Sequence, residues 1–285
     1  MTRFSPGTKF YYAPDKYINY KIFGSGPINL IFLHGFAASL ETWTDILPFF
    51  ATDKFKIYLI DLKGAGFSSV PRDPDYSIKA NAIIVSEFIK QNKIRKSIIV
   101  GHSFGGGVAL LTTLLLAENS TYFPSGLILI DAAAYKIDLP FFVSYARIPI
   151  LNRIILGLTS AQYKAKYTLE KIYFDKKKIT SAKINRYAFF LQGPDYAYAL
   201  IETASDVIPS DLKSYISKYK EILLPSLIIW GENDKVIPIG FGHMLNNDLS
   251  NSKLEILKEC GHNPQEELPD KIAELIHPFI YSIQR

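Results

Sequence analysis

The sequence predicts an α/β fold, in which helices cover both faces of a mostly parallel sheet and a helical cap is inserted. Short apolar runs rich in β-branched residues recur along the 285 residues, with longer stretches of helical periodicity between them. This alternation is typical of parallel sheets. The predicted strands are residues 28–33, 56–60, 97–100, 127–130, 227–230 and 254–257. Each strand ends in Gly, Asp or His, or just before one of them.

Helix boundaries are predicted from capping residues. Ser77 is a suitable N-cap for a helix that runs to about Lys90, because its hydroxyl can accept a hydrogen bond from a free backbone N–H. Residues 103–118 predict a second helix facing the sheet. The C-terminal helix follows Leu268-Pro269-Asp270, where Pro269 suits the first turn.

Residues 134–210 interrupt the alternation of predicted strands and helices and divide the chain. They are rich in Tyr, Lys and Phe, have helical periodicity and contain no convincing strand. We therefore predict a core of residues 1–133 and 211–285 and a helical cap, or lid, of residues 134–210. The apolar stretch 141–158, with Arg147 and Arg153, either lines a pocket or touches a membrane surface, and the pocket is the favoured interpretation.

Composition excludes several classes of protein. Hydrophobic residues make up 48% and charged residues 21%, so disordered, collagen-like and coiled-coil chains are excluded. The 32 Lys and Arg residues exceed the 27 Asp and Glu residues by only five. Apart from Lys176-Lys177-Lys178, the lysines are scattered, and no basic stripe alternates with aromatic residues. We therefore expect no nucleic-acid partner.

Cysteine content and hydropathy indicate the compartment. Cys260 is the only cysteine, which excludes a disulfide within the chain and a Cys-based zinc site. The first seven residues lack the apolar stretch of a signal peptide, and no later apolar run is long enough to span a bilayer. We expect a cytoplasmic protein without stable membrane insertion.

The most informative motif is Gly101-His102-Ser103-Phe104-Gly105, which lies between a predicted strand and a predicted helix. A Gly-x-Ser-x-Gly pattern in this context describes a turn so sharp that the serine backbone is strained and the flanking residues must be glycine. The turn presents the hydroxyl oxygen at a helix N-terminus, where the helix dipole favours developing negative charge. Ser103 is therefore the candidate nucleophile.

A serine nucleophile needs a base and an acid. His262 lies in a loop after the last predicted strand, and Asp234 follows the preceding strand, which gives the chain order Ser, Asp, His. Asp131, after residues 127–130, is the main alternative acid, and Glu232 lies too near its strand end to be preferred. We predict Asp234 as the acid and His262 as the base.

Acyl transfer also requires an oxyanion hole, in which backbone N–H groups face the developing negative charge. The turn His34-Gly35-Phe36, directly after the first predicted strand, offers the N–H of Phe36. The residue after the nucleophile offers the N–H of Phe104.

Other conspicuous residues have simpler structural explanations. The partial glycine pattern from Gly64 to Ser69 lacks a third glycine and a following helix, so we expect a turn braced by Asp61 and no nucleotide site. His102 is expected to support the site or pack beside it, and Cys260 to be a small packed residue. No cluster of histidines and carboxylates has metal-ligand spacing, so no metal is predicted.

Taken together, these motifs resemble those of the α/β-hydrolase fold family, and the resemblance extends over nearly the whole length of the chain. The resemblance is carried by Leu33-His34-Gly35-Phe36, Asp61 to Ser68, Gly101 to Gly105, Gly231 to Asp234 and Gly261-His262. It implies hydrolysis through an acyl-enzyme, no cofactor and a lid where residues 134–210 fall. Dehalogenases and epoxide hydrolases of the family carry aspartate where Ser103 stands, which makes those activities unexpected.

The function predicted from these residues is that of a serine hydrolase cleaving a small or medium, largely apolar carboxylic ester. Two alternatives stay open: a carbon–carbon bond hydrolase of the same fold, and a small-molecule receptor with vestigial hydrolysis. Family members that hydrolyse carbon–carbon bonds have tryptophan after the catalytic histidine, where this chain has Asn263. They also require a group to hold a carboxylate, for which Arg147, Arg153 and Arg186 are available. Perhydrolase side activity and oligomeric state stay open.

Overall fold

The protein is built on one eight-stranded sheet. A computed structural model describes residues 4–117, 121–136, 159–206 and 212–284. The strands are β1 (Thr8–Ala13), β2 (Lys16–Phe23), β3 (Ile28–Leu33), β4 (Phe55–Ile60), β5 (Ile98–His102), β6 (Gly126–Ile130), β7 (Ser226–Gly231) and β8 (Ser252–Leu257). Their order across the sheet is β1-β2-β4-β3-β5-β6-β7-β8. β1 pairs antiparallel with β2, and β2 pairs antiparallel with β4. All the remaining pairs, from β4 across to β8, are parallel.

All six predicted strands are present, with ends within two residues of the predicted ones. The hairpin of β1 and β2 was not predicted from the sequence. These strands lie at the edge of the sheet, and most of their side chains are at least partly exposed. They therefore lack the continuous apolar run by which buried parallel strands are recognised.

The helices follow the predicted capping. They are α1 (Ile78–Gln91), α2 (Phe104–Leu116), α3 (Ala161–Ile172), α4 (Ser181–Phe190), α5 (Gly193–Asp206), α6 (Leu212–Ile216), α7 (Gly240–Asp248), α8 (Pro264–Glu267) and α9 (Pro269–Ile283). The Ser77 hydroxyl accepts a hydrogen bond from the Ala80 N–H at 3.1 Å, as predicted for an N-cap. Pro269 begins α9, also as predicted.

The predicted cap falls partly on described residues. Residues 159–206 contain α3, α4 and α5 and, within that range, no strand. The stretch 141–158, with Arg147 and Arg153, lies outside the described residues, so its predicted apolar face stays a prediction, as do the cap boundaries. Among the helices that the structure describes, none is both long and apolar enough to cross a membrane.

Alternate residues of the parallel strands pack on opposite faces of the sheet. On β3, Phe32 belongs to the apolar cluster that includes Ile276 of α9. Its neighbour Leu33 belongs to the cluster on the other face, with Val108 of α2. Both faces are thus covered by helices, which explains why these strands read as unbroken apolar runs.

The strand order creates a crevice at the carboxyl end of β3. Because β3 lies between β4 and β5, the chain leaves β3 toward one side of the sheet and returns to its other side through β5. Ligands of open α/β sheets bind at such a reversal, outside the carboxyl ends of the strands. The loop after β3 and the turn after β5 both border this point.

Asp61 braces the turn from Gly64 to Ser69, as predicted. Its carboxylate accepts hydrogen bonds from the Phe67 N–H at 2.9 Å and from the Leu40 N–H at 2.7 Å. The same carboxylate fills the space where a Cβ on Gly66 would lie. This loop is therefore fixed against the segment that follows β3.

Gly105→Ala is predicted to destabilise the protein. A Cβ at Gly105 would lie 2.3 Å from the carbonyl oxygen of Leu33, and rigid backbone cannot yield to it. We expect a loss of about 1–3 kcal/mol of unfolding free energy, typical of overpacking, measured by thermal or urea unfolding. Gly240→Ala is the matched control, because nothing lies within 4 Å of its added Cβ. Equal stability of the two variants would contradict the crowding argument.

Candidate active site

Ser103 occupies a strained turn between β5 and α2. Its backbone has φ 50° and ψ −119°, a conformation that costs free energy in any residue other than glycine and persists only where surrounding structure holds it. The Ser103 N–H donates to the Ile130 carbonyl at 2.9 Å, and its carbonyl accepts from the Ala133 N–H at 2.9 Å. The strand β6 thus holds the turn from one side.

The three predicted triad residues come together in one chain of hydrogen bonds. The Ser103 Oγ lies 2.9 Å from His262 Nε2, and His262 Nδ1 lies 2.7 Å from Asp234 Oδ2. All three are buried, with exposed fractions of 5–7%. Because a carboxylate only accepts, Nδ1 carries the hydrogen that points to Asp234, and Nε2 is left to accept from the serine hydroxyl. The arrangement can remove a proton from Ser103.

Asp234 is oriented by its own loop. Its Oδ1 accepts hydrogen bonds from the Val236 N–H at 2.7 Å and the Ile237 N–H at 3.0 Å. These donors hold the carboxylate in place, with Oδ2 toward His262. Glu232, two residues earlier, is exposed. Of the sequence candidates for the acid, Asp234 is therefore the one that contacts the imidazole.

Two backbone donors near Ser103 have no hydrogen-bond acceptor among the described residues. Within the described residues, neither the Phe36 N–H nor the Phe104 N–H donates a hydrogen bond. A Cβ built on Gly35 would lie 3.1 Å from the Ser103 Cβ, so the loop after β3 passes directly beside the serine. This geometry suits an oxyanion hole.

His102 supports the loop that carries His262. Its Nε2 lies 2.7 Å from the His262 carbonyl oxygen and donates to it. Burial, followed by the nearby His262, lowers the pKa of His102 well below its ordinary value, so the ring stays neutral. This contact agrees with the supporting role expected for His102.

One group of potential metal-ligating atoms comes together among the described residues. A ring nitrogen of His102, a carboxylate oxygen of Asp131 and a ring nitrogen of His262 lie within 4.8 Å of one another. Both ring nitrogens of His262 already contact Asp234 and Ser103, however. A metal here would displace one of these partners, so the donor set fits an acid–base site better than a metal centre.

The end of α3 and the residues after it hold the His262 loop in place. The His262 N–H donates to the Ile172 carbonyl at 2.7 Å. The Glu267 carboxylate accepts from the Gly261 N–H at 2.9 Å and from the Phe174 N–H at 2.8 Å. One buried carboxylate thus joins the loop of the candidate base to the helical segment of residues 159–206.

A second carboxylate ties the same segment to the core. Glu266 accepts hydrogen bonds from the Tyr173 hydroxyl at 2.5 Å, from the Tyr187 hydroxyl at 2.6 Å and from Thr42. Burial, followed by the charge of Glu266, raises the pKa of both tyrosines well above its ordinary value. Both phenols therefore stay protonated and act as donors. Lys183 adds a bond to the Glu266 carbonyl at 2.6 Å.

The larger cavity at the reversal of the sheet is open and mostly apolar. The space between its walls, which is partly open to solvent, is about 380 Å³. Its walls come from the loops after β3 and β4, from Phe104 and from α5: His34, Gly35, Phe36, Ala37, Ala38, Leu62, Lys63, Gly64, Ala65, Phe104, Tyr196, Ala199, Leu200 and Thr203. Both candidate oxyanion residues, Phe36 and Phe104, therefore border this cavity.

A smaller cavity of about 210 Å³ adjoins it through Ala37 and Ala38. Arg186 lines it, together with Ser39, Thr42 and Tyr187. The guanidinium is buried, and its Nη2 donates to Asp45 at 2.7 Å, whereas Nη1 has no partner in the part of the chain described.

Similarity to known proteins agrees with the fold and the motif order. The family model described as the alpha/beta hydrolase family matches residues 30–275. The chain is 29% identical over 259 residues to an uncharacterized hydrolase, YugF, of Bacillus subtilis (strain 168). This alignment covers 90% of each of the two chains. It is 25% identical to a pimeloyl-(acyl-carrier protein) methyl ester esterase of Wigglesworthia glossinidia brevipalpis, over 92% of this chain and 96% of the esterase.

A solved structure shares the fold over nearly the whole chain. The meta-cleavage product hydrolase from Pseudomonas fluorescens IP01 superposes with a TM-score of 0.79 at 21% identity, covering 97% of this chain and 98% of the other. The chain belongs to the alpha/beta hydrolase family. It is accordingly a hydrolase of this fold, and the predicted fold class is confirmed.

Sequence reasoning missed Glu266 and Glu267 as parts of this site. Both follow His262 closely in the sequence, but a pair of glutamates in a short helix usually indicates a solvent-exposed side of that helix. Only the packing of α3 and α4 shows that these carboxylates are buried.

Glu267→Gln is predicted to loosen the His262 loop. The amide can accept with one oxygen only, so a buried backbone N–H at Gly261 or Phe174 loses its partner. We expect a loss of about 1–3 kcal/mol of unfolding free energy, measured by thermal unfolding. Glu274→Gln on α9 is the control, because Glu274 is exposed and pairs only with Lys271 among the described residues. A Glu267→Gln variant as stable as this control would contradict the inferred clamp.

Proposed function

We propose that this protein is a serine hydrolase that cleaves a small or medium, largely apolar carboxylic ester through an acyl-enzyme. The observation that carries the proposal is the unbroken hydrogen-bond chain from Ser103 through His262 to Asp234. It starts from a strained serine beside two unpaired N–H groups, as acyl transfer requires. Residues 134–210 are proposed as the cap that covers this site.

In the proposed reaction the Ser103 oxygen attacks the ester carbonyl carbon while His262 Nε2 takes the hydroxyl proton. Asp234 stabilises the resulting imidazolium. The negative charge on the former carbonyl oxygen is stabilised by the N–H groups of Phe36 and Phe104. Collapse of the tetrahedral intermediate expels the alcohol, which receives the proton from His262. Water, deprotonated by the same imidazole, then releases the acid and restores Ser103.

The larger cavity supports an apolar acyl group. Its lining includes the candidate oxyanion residues Phe36 and Phe104 as well as Leu62 and Leu200, so we propose that an acyl chain attached to Ser103 extends into it. We propose no cofactor, because serine, histidine and aspartate supply the nucleophile and the proton transfers. The proposal keeps the predicted cytoplasmic location.

Ser103→Ala is predicted to abolish ester turnover. Removing the nucleophile of such a site lowers kcat by about 10⁴- to 10⁶-fold, measured with p-nitrophenyl esters from acetate to dodecanoate. Ser125→Ala is the control, because Ser125 lies just before β6, at the opposite end of that strand from the turn. Undiminished turnover in the Ser103 variant would contradict the nucleophile assignment.

Leu200 substitutions are predicted to change the preferred acyl length. Leu200→Ala enlarges the cavity and should move the optimum toward longer chains, whereas Leu200→Phe should shorten it. Each methylene gained or lost changes kcat/KM by about fourfold, the value of one buried CH₂. Leu223→Ala serves as the control, since Leu223 is 70% exposed and outside the cavity. An unchanged chain-length profile in both Leu200 variants would place the acyl chain elsewhere.

A second candidate function, hydrolysis of a carbon–carbon bond in an acidic substrate, is favoured by Arg186. Arg186 lines the smaller cavity, and its buried Nη1 has no partner among the described residues, so a carboxylate in this cavity could pair with the guanidinium. Asp45 already balances this charge: burial would raise the pKa of Asp45, but Arg186 and Lys183 hold it below its ordinary value. Turnover of an oxo-dienoate ring-cleavage product, with no turnover of any ester, would favour this candidate.

A further inference from the structure

The helix α3 exposes aromatic rings to solvent. Tyr163 and Tyr167 are 61% and 42% exposed, and they lie on one face of the helix because they are four positions apart. Their rings are nearly parallel, with an interplanar angle of 18° and centroids 6.5 Å apart. Phe174, two residues beyond the end of α3, is 44% exposed. Neighbouring exposed apolar side chains of this size are typical of an interaction surface.

The packing of α3 uses its other side. Ala165 and Leu169 are fully buried, and Ile172 is 9% exposed. Ala165 packs in a cluster with Ala188 of α4, whereas Leu169 and Ile172 share a second cluster. Ala165 and Leu169 each follow one of the exposed tyrosines by two positions, which places them across the helix. The helix is therefore attached to the protein through the side opposite to the two tyrosines.

Positive charge is concentrated in the same segment. Residues 161–178 contain six lysines and two acidic residues. The net charge of this segment is therefore +4, whereas that of the whole chain is +5. Lys176 and Lys177, just after α3, are exposed. Nearly all of the chain's net positive charge is thus carried by α3 and the residues that follow it.

Lysines flank the exposed tyrosines. Because each residue turns the helix by about 100°, Lys166 and Lys171 lie on the two sides of the face that Tyr163 and Tyr167 form. The Lys171 Nζ is 5.2 Å from the centroid of the Tyr167 ring. Lys166 and Glu170 pair at 3.9 Å, and an exposed pair of this kind is weak enough to yield to another anion.

The residue types on this face indicate an anionic lipid surface as the partner. All six cations of residues 161–178 are lysines. Protein interfaces are enriched in arginine and depleted in lysine, because the planar guanidinium pairs with carboxylates in a fixed geometry. Lipid headgroups present diffuse negative charge, to which flexible lysine side chains adapt. Tyrosine suits the same boundary, since its ring is apolar and its hydroxyl stays in water.

We propose that α3 docks on the surface of a bilayer that contains anionic phospholipid. The docking face consists of Tyr163, Lys166, Tyr167, Lys171, Lys176 and Lys177. The rings enter the headgroup layer, and the ammonium groups pair with lipid phosphates. The other side of α3 holds the candidate base, through the bond from the His262 N–H to the Ile172 carbonyl. Docking therefore brings the site close to a membrane in which apolar esters dissolve. This supply of substrate rests on the function proposed above, whereas the docking itself does not.

The charge is tested by sedimentation of the protein with vesicles made of equal parts of phosphatidylglycerol and phosphatidylcholine. We expect Lys166→Gln with Lys177→Gln to lower the partition coefficient about fivefold for each lysine removed, and added salt to lower that of the wild type. Lys218→Gln with Lys220→Gln is the matched control, because these exposed lysines precede β7, at the opposite end of that strand from Asp234. Equal losses in the two double variants, or no binding of the wild type to these vesicles, would overturn the proposal.

The tyrosines distinguish a bilayer from an acidic protein surface. Tyr163→Ser leaves the charge unchanged but removes a ring that the headgroup layer would bury, so the partition coefficient should fall by about fivefold. Tyr11→Ser is the control, since Tyr11 is 55% exposed and lies on β1. Wild-type partitioning of Tyr163→Ser, together with lysine-dependent binding to a soluble glutamate polymer, would indicate a site for an acidic protein and overturn the proposal.

Enzyme assays separate docking from chemistry. Tyr163→Ser should hydrolyse soluble p-nitrophenyl acetate as the wild type does, whereas its kcat/KM for p-nitrophenyl dodecanoate held in the anionic vesicles should fall in parallel with its partition coefficient. An unchanged kcat/KM for the vesicle-held ester would overturn the supply of substrate by docking. Ser103→Ala should bind the vesicles as the wild type does. Vesicle binding by a wild-type protein that hydrolyses no ester would therefore support docking and contradict the proposed function alone.

Discussion

The strained backbone at Ser103 is the constraint on which the rest of the site depends. Its φ of 50° is held between the carbonyl of Ile130 and the first turn of α2. The close approach of Gly105 to the Leu33 carbonyl leaves no room for a Cβ. The turn is crowded from both sides, and the Ser103 hydroxyl lies 2.9 Å from His262 Nε2. The loop after β3, which carries the Phe36 N–H, passes directly beside this turn.

Buried negative charge surrounds the imidazole, and each carboxyl group is compensated in a different way. Asp234 is stabilised by backbone N–H groups, Glu267 by backbone N–H groups of another segment, and Glu266 by hydroxyls. Asp131 is left without such donors at one oxygen. Burying an uncompensated charge is costly, so these differences decide which groups carry charge. The carboxylate that contacts the His262 ring is that of Asp234.

The helical segment of residues 159–206 takes part in the site in two ways. The end of α3 holds the loop of the candidate base through the Ile172 carbonyl, whereas α5 lines the larger cavity through Leu200 and Thr203. Placement of the base and the shape of the cavity therefore depend on the same segment. A change in how α3 packs would reach the His262 loop through the 2.7 Å hydrogen bond from the His262 N–H to Ile172 and through the carboxylate of Glu267.

The sequence by itself determined the parallel core, the turn at Ser103 and the order of the triad candidates, because each depends on local patterns: unbroken apolar runs, glycines at fixed spacing and polar residues after strand ends. It left Asp131 and Asp234 as alternatives, since both follow strands. Only the tertiary structure showed which oxygen contacts His262, because that contact joins residues 28 positions apart in the chain. The same holds for Glu267, whose burial depends on a partner 93 positions away.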